Sequence, residues 1–189
     1  MSKLHQDDSF QLARKVNALR LRANLISGMR RFFLEHDFLE VETPVRIPSP
    51  APEEHIEAIP SAGWFLQTSP ELCMKRMLAA GYPRIFQICK CFRADERGTR
   101  HLPEFTMLEW YVARFDYHQL MDQCEALVCA AFQKAGYEKS LTWQDRTISL
   151  APPWERITVT EAFARYAPVT VGDAMRRQTF DEILVQYIE

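Results

Sequence analysis

Two runs, RIFQICKCFR at 84–93 and EFTMLEWYVARF at 104–115, alternate in side-chain character and stand ten residues apart. Successive side chains of a strand point to opposite faces, so the pair predicts an antiparallel hairpin with two chemically different sides. Phe86, Ile88 and Phe92 share one face of the first strand, and Leu108, Trp110 and Val112 one face of the second. The opposite faces carry Gln87, Cys89, Cys91 and Arg93, then Phe105, Met107, Glu109 and Tyr111. One side is therefore oily core. The other holds a guanidinium, a flat ring, a carboxylate and a phenol, the lining expected of a pocket for a polar, aromatic, charged ligand.

The flanking sequence supplies the rest of an α+β domain, an antiparallel sheet flanked by helices. Leu19, Ala23, Ile26, Met29 and Phe33 recur at helical spacing and predict an amphipathic helix over 15–36. DFLEVETPV reads as a short strand ending at Pro44, and RIPSPAPEEHIEAIPSAG as an irregular surface loop. GWFLQTSPELCMKRMLAAGY predicts a strand and a helix, with Ser69 as N-cap, Pro70 in the first helical position and Gly81 closing the end. A second amphipathic helix presents Leu120, Cys124, Leu127, Val128 and Ala131, with Gly136 beyond it. Thr158 and Glu161 form a capping-box pattern, and TFDEILVQYIE predicts a last helix.

With 189 residues and 47% hydrophobic content, the chain suits one domain with a substantial core. A formal net charge of −2 gives no global pull toward nucleic acid or an anionic membrane. No apolar leader and no membrane-length apolar run occur, so a cytoplasmic protein without a membrane partner is expected. Arg20, Arg22, Arg30 and Arg31 along the first helix read as a solvated face or, less simply, a nucleic-acid arm. The five cysteines read as reduced thiols. Cys89 and Cys91 lack the second Cys/His pair of a zinc finger, and no metal site is expected.

The charged face suggests roles by group. The planar fork of Arg93 matches phosphate or carboxylate oxygens, and Phe105 offers a surface for a nucleobase. Glu109 and Glu71 suit an ammonium, while Arg97, Arg100 and His101 would reach outer phosphates. Plainer readings stand beside these. Arg93 and Glu109 would serve as a cross-strand ion pair, Glu71 as a favourable charge at a helix start, and Phe105 and Tyr111 as core.

FRADERGTRHLPEFTMLEWY, within 84–112, resembles motif 2 of the class II aminoacyl-tRNA synthetases in its lysine-type form, and FLEVETP, around 38–44, resembles motif 1. TSPELCMKRMLAAGYPRIFQICKCFR continues the likeness without a gap. The resemblance implies a class II catalytic fold over 15–189, preceded by an extension at 1–14, and a homodimer built on motif 1. It also implies ATP with Mg²⁺ as cofactors. Arg93, as the catalytic residue, would bridge the α-phosphate and the substrate carboxylate. Asp95 would meet adenine, Arg100 and His101 the terminal phosphates, and Phe105 would stack on the base. Ser69, Glu71, Glu109 and Tyr111 would hold the amino-acid substrate.

The acid at Glu71, where the aspartate and asparagine enzymes carry glutamine, favours the lysine branch. The space before the first helix does not fit an anticodon-binding domain, and TSPE with EFTMLEWY is most similar to the stand-alone paralogues that ligate (R)-β-lysine to a lysine of elongation factor P. The implied activity is formation of a lysyl or β-lysyl adenylate and ligation to that protein, with tRNA the less favoured acceptor. Two departures qualify it. Asp95 stands where the family has glutamate, with Glu96 beside it as a substitute. Nothing after residue 140 resembles motif 3, so an incomplete catalytic domain, inactive alone, is expected. A lysyl-tRNA synthetase fragment and a non-enzymatic synthetase-like module are the alternatives.

Overall fold

The computed structural model describes residues 12–187. The extension expected at 1–14 lies outside the described residues as far as residue 11, and residues 12–14 are helical. The chain divides into two compact units, meeting in sequence at Leu150 and Ala151.

The first unit is organised by the expected hairpin. Strands β5 (Arg84–Phe92) and β6 (Glu104–Val112) pair over all nine residues, from Arg84 opposite Val112 to Phe92 opposite Glu104. Before them in the chain come helix α1 (Val16–Glu35), strands β1 (Leu39–Glu40), β2 (Arg46–Ile47), β3 (Pro60–Ser61) and β4 (Trp64–Leu66), and helix α2 (Glu71–Ala79). After them come α3 (Tyr117–Lys134), β7 (Ser140–Trp143) and β8 (Arg146–Ser149). β1 adds to the hairpin edge in parallel, Leu39 opposite Ile85. The main sheet is thus mixed rather than purely antiparallel. The long crossover from β1 to β5 permits this, since parallel neighbours need such a connection.

Phe32, Phe33, Phe38, Phe86 and Leu127 form the main core, with Ile88, Leu108, Trp110 and Val112 of the oily face packed on it. Phe33 and Phe86 stack at 4.6 Å between ring centroids. Trp110 Nε1 donates to Gln123 Oε1 at 2.8 Å, so the indole enters the core satisfied. α1 and α3 approach closely at Gly28, where an added Cβ would sit 2.9 Å from Lys134 Cβ and 3.0 Å from Ala131 Cα. The stripe expected along α1 is buried only in its C-terminal half; Leu19 is 55% exposed. Three of the four arginines of α1 are engaged within the chain. Arg30 Nε donates to both oxygens of Glu40 at 2.8 and 3.0 Å, Arg22 reaches Thr106 Oγ1 at 2.7 Å, and Arg31 pairs with Glu35 at 3.3 Å.

The segment expected to be irregular contains β2 and β3, which flank β4 in a small antiparallel sheet. Strands of two residues leave no periodic signal, yet Ile47 and Ala58 are buried. Ala62 and Gly63, both at positive φ, make the two-residue turn into β4. The β7–β8 hairpin was also unsignalled, because its turn residues at positive φ, Gln144 and Asp145, are not the usual Asn-Gly or Asp-Gly.

The helix caps follow the sequence with one change. Pro70, not Ser69, occupies the N-cap of α2, and Ser69 Oγ instead accepts the Glu71 N–H from one residue further out, at 3.0 Å. At the other end Gly81 N–H meets Leu78 O and Tyr82 N–H meets Met77 O, with Gly81 at φ +99°. That is the left-handed closure glycine permits. α3 starts in a reciprocal capping box between Asp116 and Gln119.

The second unit holds α4 (Val159–Tyr166), α5 (Val171–Arg177) and α6 (Phe180–Tyr187). The Thr158–Glu161 capping box forms as expected. Fully buried Phe163 stacks on Phe180 at 5.3 Å. No helix among the described residues is long and apolar enough to cross a membrane.

Candidate functional site

Strand register decides which groups meet. Gln87 lies opposite Glu109, Cys89 opposite Met107, Cys91 opposite Phe105, and Ile85 opposite Tyr111. The polar face read from alternation therefore exists as one surface. Gln67, at the end of β4, aligns a second wall along it. Its N–H donates to Val45 O at 2.8 Å, and its carbonyl accepts from Phe92 N–H at 2.9 Å. The backbone that follows carries Ser69 to Glu109, where Oγ donates to Oε1 at 2.7 Å.

Glu109 Oε2 and Arg93 Nε are both buried and have no hydrogen-bond partner among the described residues. A buried polar atom left unpaired costs about 1–3 kcal/mol, and both atoms belong to residues expected to hold ligand. Burial pushes the Glu109 carboxyl above its ordinary range; the Ser69 hydrogen bond opposes this and the nearby Glu71 charge adds to it. Arg93 Nη1 pairs with Glu96 Oε1 at 3.1 Å, not with Glu109. Its guanidinium also lies over the Phe105 ring, 5.2 Å from the centroid. The expected stacking surface and the expected phosphate fork are thus in contact.

Glu71 forms an i,i+4 ion pair with Lys75, so it already holds one ammonium group. Tyr111 divides its side chain between two roles. The ring packs against Val41, Met74 and Ile85, and burial, reinforced by the Glu109 and Glu71 charges, drives the phenol pKa well up. Ser69, Glu71, Glu109 and Tyr111 are thereby brought together. The loop residues are not joined to them. Asp95, Arg97, Arg100 and His101 are exposed, in a loop tied by Arg97 N–H to Asp95 O at 3.0 Å and Gly98 N–H to His101 O at 3.2 Å.

Sequence reasoning passed over Gln67. It is fully buried, and its Nε2 donates to Lys90 O at 2.9 Å and Cys89 Sγ at 3.5 Å. A glutamine directly after the apolar WFL was the available signal. Gln87 was placed on the right face without a role. Its Oε1 accepts from Thr43 N–H at 3.2 Å, while its Nε2 is buried without a partner among the described residues. Among those residues no three His, Cys, Asp or Glu side chains converge to hold a metal ion.

The central hairpin of the mixed sheet thus presents Arg93, Phe105 and Glu109 on one face, with Glu71 at the start of α2 close enough to act on the Glu109 carboxyl. The crystal structure of asparaginyl-tRNA synthetase from Pyrococcus horikoshii complexed with asparaginyl-adenylate shares the fold, with a TM-score of 0.57 at 24% identity over 63% of this chain and 28% of that one. Residues 9–182 match the family model for tRNA synthetases class II (D, K and N), and the chain belongs to that family. Similar curated proteins include a lysine–tRNA ligase of Paraburkholderia phytofirmans, 38% identical over 165 residues, which are 84% of this chain and 32% of the relative. Another is a lysine–tRNA ligase of Psychrobacter sp., 40% identical over 157 residues, or 80% of this chain and 31% of that protein. The chain spans about a third of the length of the curated relatives it matches.

Proposed function

We propose that the chain contributes one wall of a site that joins ATP to lysine or (R)-β-lysine, forming an aminoacyl-adenylate. The observation that carries this reading is the pair of unpartnered buried atoms, Arg93 Nε and Glu109 Oε2, on one face. A guanidinium with a free N–H suits an α-phosphate or carboxylate oxygen, and a carboxylate with a free oxygen suits an ammonium. Lys75 on Glu71 supports the second part, because a substrate ammonium would take the same kind of partner.

In the reaction the substrate carboxylate oxygen attacks the α-phosphorus and pyrophosphate leaves. Positioning and charge stabilisation carry such a displacement. Arg93 would turn from Glu96 to the α-phosphate and substrate carboxylate, uncovering Phe105 for adenine. Ser69 and Glu109 would fix the substrate ammonium together with Glu71, and the Tyr111 hydroxyl would border its side chain. Asp95, with Glu96 beside it, would meet the adenine amino group; exposed Arg100 and His101 would reach the outer phosphates as the loop folds over them. Mg²⁺ would accompany the triphosphate. The residues described provide no cage of their own for it, and no step here depends on one.

The acceptor we propose is a lysine amine of elongation factor P, which attacks the mixed anhydride, releasing AMP and a proton. TSPE and EFTMLEWY support that acceptor. The likeness to lysine–tRNA ligases favours a second reading, with tRNA as acceptor. Exposed Leu12, ahead of α1, and exposed Val16 and Leu19 on it support a homodimer, which sedimentation would test.

The deciding experiment measures ATP–pyrophosphate exchange by the whole protein with each lysine isomer, then transfer to elongation factor P and to tRNA. Exchange with β-lysine above α-lysine and transfer to the protein are expected. Charging of tRNA alone would establish the second reading, and no exchange with either isomer would reject adenylate formation.

A further inference from the structure

Three sulfur atoms meet on the polar face of the hairpin, and the proposed reaction uses none of them. Cys89 Sγ lies 3.9 Å from Cys91 Sγ, and Cys91 Sγ lies 3.9 Å from Met107 Sδ. Cys89 and Met107 are cross-strand partners, so their side chains leave the same face side by side. We propose that Cys89, Cys91 and Met107 form a binding site for a soft monovalent metal ion of the Cu(I) type.

Dimensions argue for it first. An ion at the centre of three sulfurs, with metal–sulfur distances of about 2.3 Å, holds those sulfurs about 4.0 Å apart. The Cys89–Cys91 and Cys91–Met107 separations, 3.9 Å each, already match that spacing. Ligand chemistry comes second. Two thiols and a thioether, with no carboxylate or imidazole among them, select Cu(I) over hard cations. The bland alternative, sulfurs packed as small hydrophobes, does not account for the surroundings.

Those surroundings supply an outer shell and a way in. Gln67, itself fully buried, donates Nε2–H to Cys89 Sγ at 3.5 Å, the kind of support that orients a ligand and tunes its basicity. Cys89 also lines an open cavity of about 650 Å³ with Thr43, Gln87 and Lys90, which gives an ion access. Thiols bind such an ion as thiolates, so the ion displaces their protons. Binding therefore releases one proton from each thiol, and the two thiolates with one Cu⁺ carry a single negative charge. The positive charge of Arg93 acts on Cys91 and offsets it.

The test titrates the reduced chain anaerobically with Cu(I) against a chromophoric Cu(I) chelator. One equivalent should be withdrawn from the chelator, with X-ray absorption showing three sulfur neighbours at about 2.3 Å. Met107→Leu and Cys89→Ser should each lose the competition while keeping the parent's far-ultraviolet dichroism. Gln67→Leu should weaken binding by about 10–100-fold. Replacing Cys73, Cys124 and Cys129 together by serine should leave the site intact, and excess Zn²⁺ should not displace the ion. No uptake, nitrogen or oxygen neighbours, retention in Cys89→Ser or Met107→Leu, loss in the triple variant, or displacement by Zn²⁺ would each overturn the assignment.

Discussion

The two faces of the β5–β6 hairpin share every backbone hydrogen bond yet have opposite energetics. On one, Phe86, Ile88, Leu108 and Trp110 meet Phe32, Phe33 and Leu127, and the polar Trp110 N–H has its acceptor. On the other, Gln87 Nε2, Arg93 Nε and Glu109 Oε2 are buried without partners among the described residues. The first face is complete as it stands. The second carries costs of about 1–3 kcal/mol per unpaired group, which a ligand bearing the missing donors and acceptors would remove. A fold spends stability in this way at sites of function, and the contrast separates residues that hold the sheet from residues that await something.

Substitutions on the two faces should therefore separate stability from binding. The largest loss is expected for Phe86→Ala, which empties the stacked Phe33–Phe86 contact in the core. Chemical denaturation should show about 3–5 kcal/mol of destabilisation. A loss under 1 kcal/mol would mean that the oily face is not the one that holds the unit together. Arg93→Ala comes next and should reverse the pattern. Its partly buried ion pair with Glu96 is local, three residues along the loop, and its buried Nε has no partner to lose among the described residues, so the unfolding midpoint should move slightly. Affinity for a non-hydrolysable lysyl-adenylate analogue should fall by a factor of about 10–100, the worth of charge-assisted hydrogen bonds. Equal binding by Arg93→Ala and parent would remove Arg93 from the site.

The contrast between faces was legible in the sequence because strand alternation is strict and the runs are long. Phe86 and Glu109 fall on the sides their parity assigns. Partner choice was not legible. Arg93 pairs with Glu96 three residues along the chain rather than across the strand, since the loop turns Glu96 back beneath it. Ser69 missed the N-cap by one residue because its hydroxyl also serves Glu109, forty residues away. β1 joins the sheet in parallel, and β2 and β3 form in a proline-rich stretch, because tertiary pairing overrides weak local preference in strands of two residues. Gln67 escaped notice for the same reason. Its role is set by the ends of three strands that only the folded chain brings together.

Glu109 sharpens the comparison through pH. Its folded-state pKa lies above the ordinary glutamate value, burial being the main cause. The folded state thus binds the proton more tightly than the unfolded state does. That contribution is complete below the unfolded pKa and disappears as pH rises through the folded one. Glu109→Gln cannot titrate, so its stability relative to the parent should rise with pH across that interval and then level off. Parallel stability curves would show that the carboxylate is not held out of water as the structure has it.

The smallest effect is expected where the oily face runs out. Lys90 lies on the same side as Phe86 and Ile88 but is exposed, and it pairs with Glu104 at 2.9 Å across the strands. Both side chains are about half exposed, so water screens the pair. Lys90→Ala should change stability by about 0.2–1 kcal/mol, and a double-mutant cycle with Glu104→Ala should give a coupling energy in that range that falls with added salt. A coupling several times larger, or insensitive to salt, would mean that this end of the hairpin is covered in solution. Its parity would then make it part of the closed face.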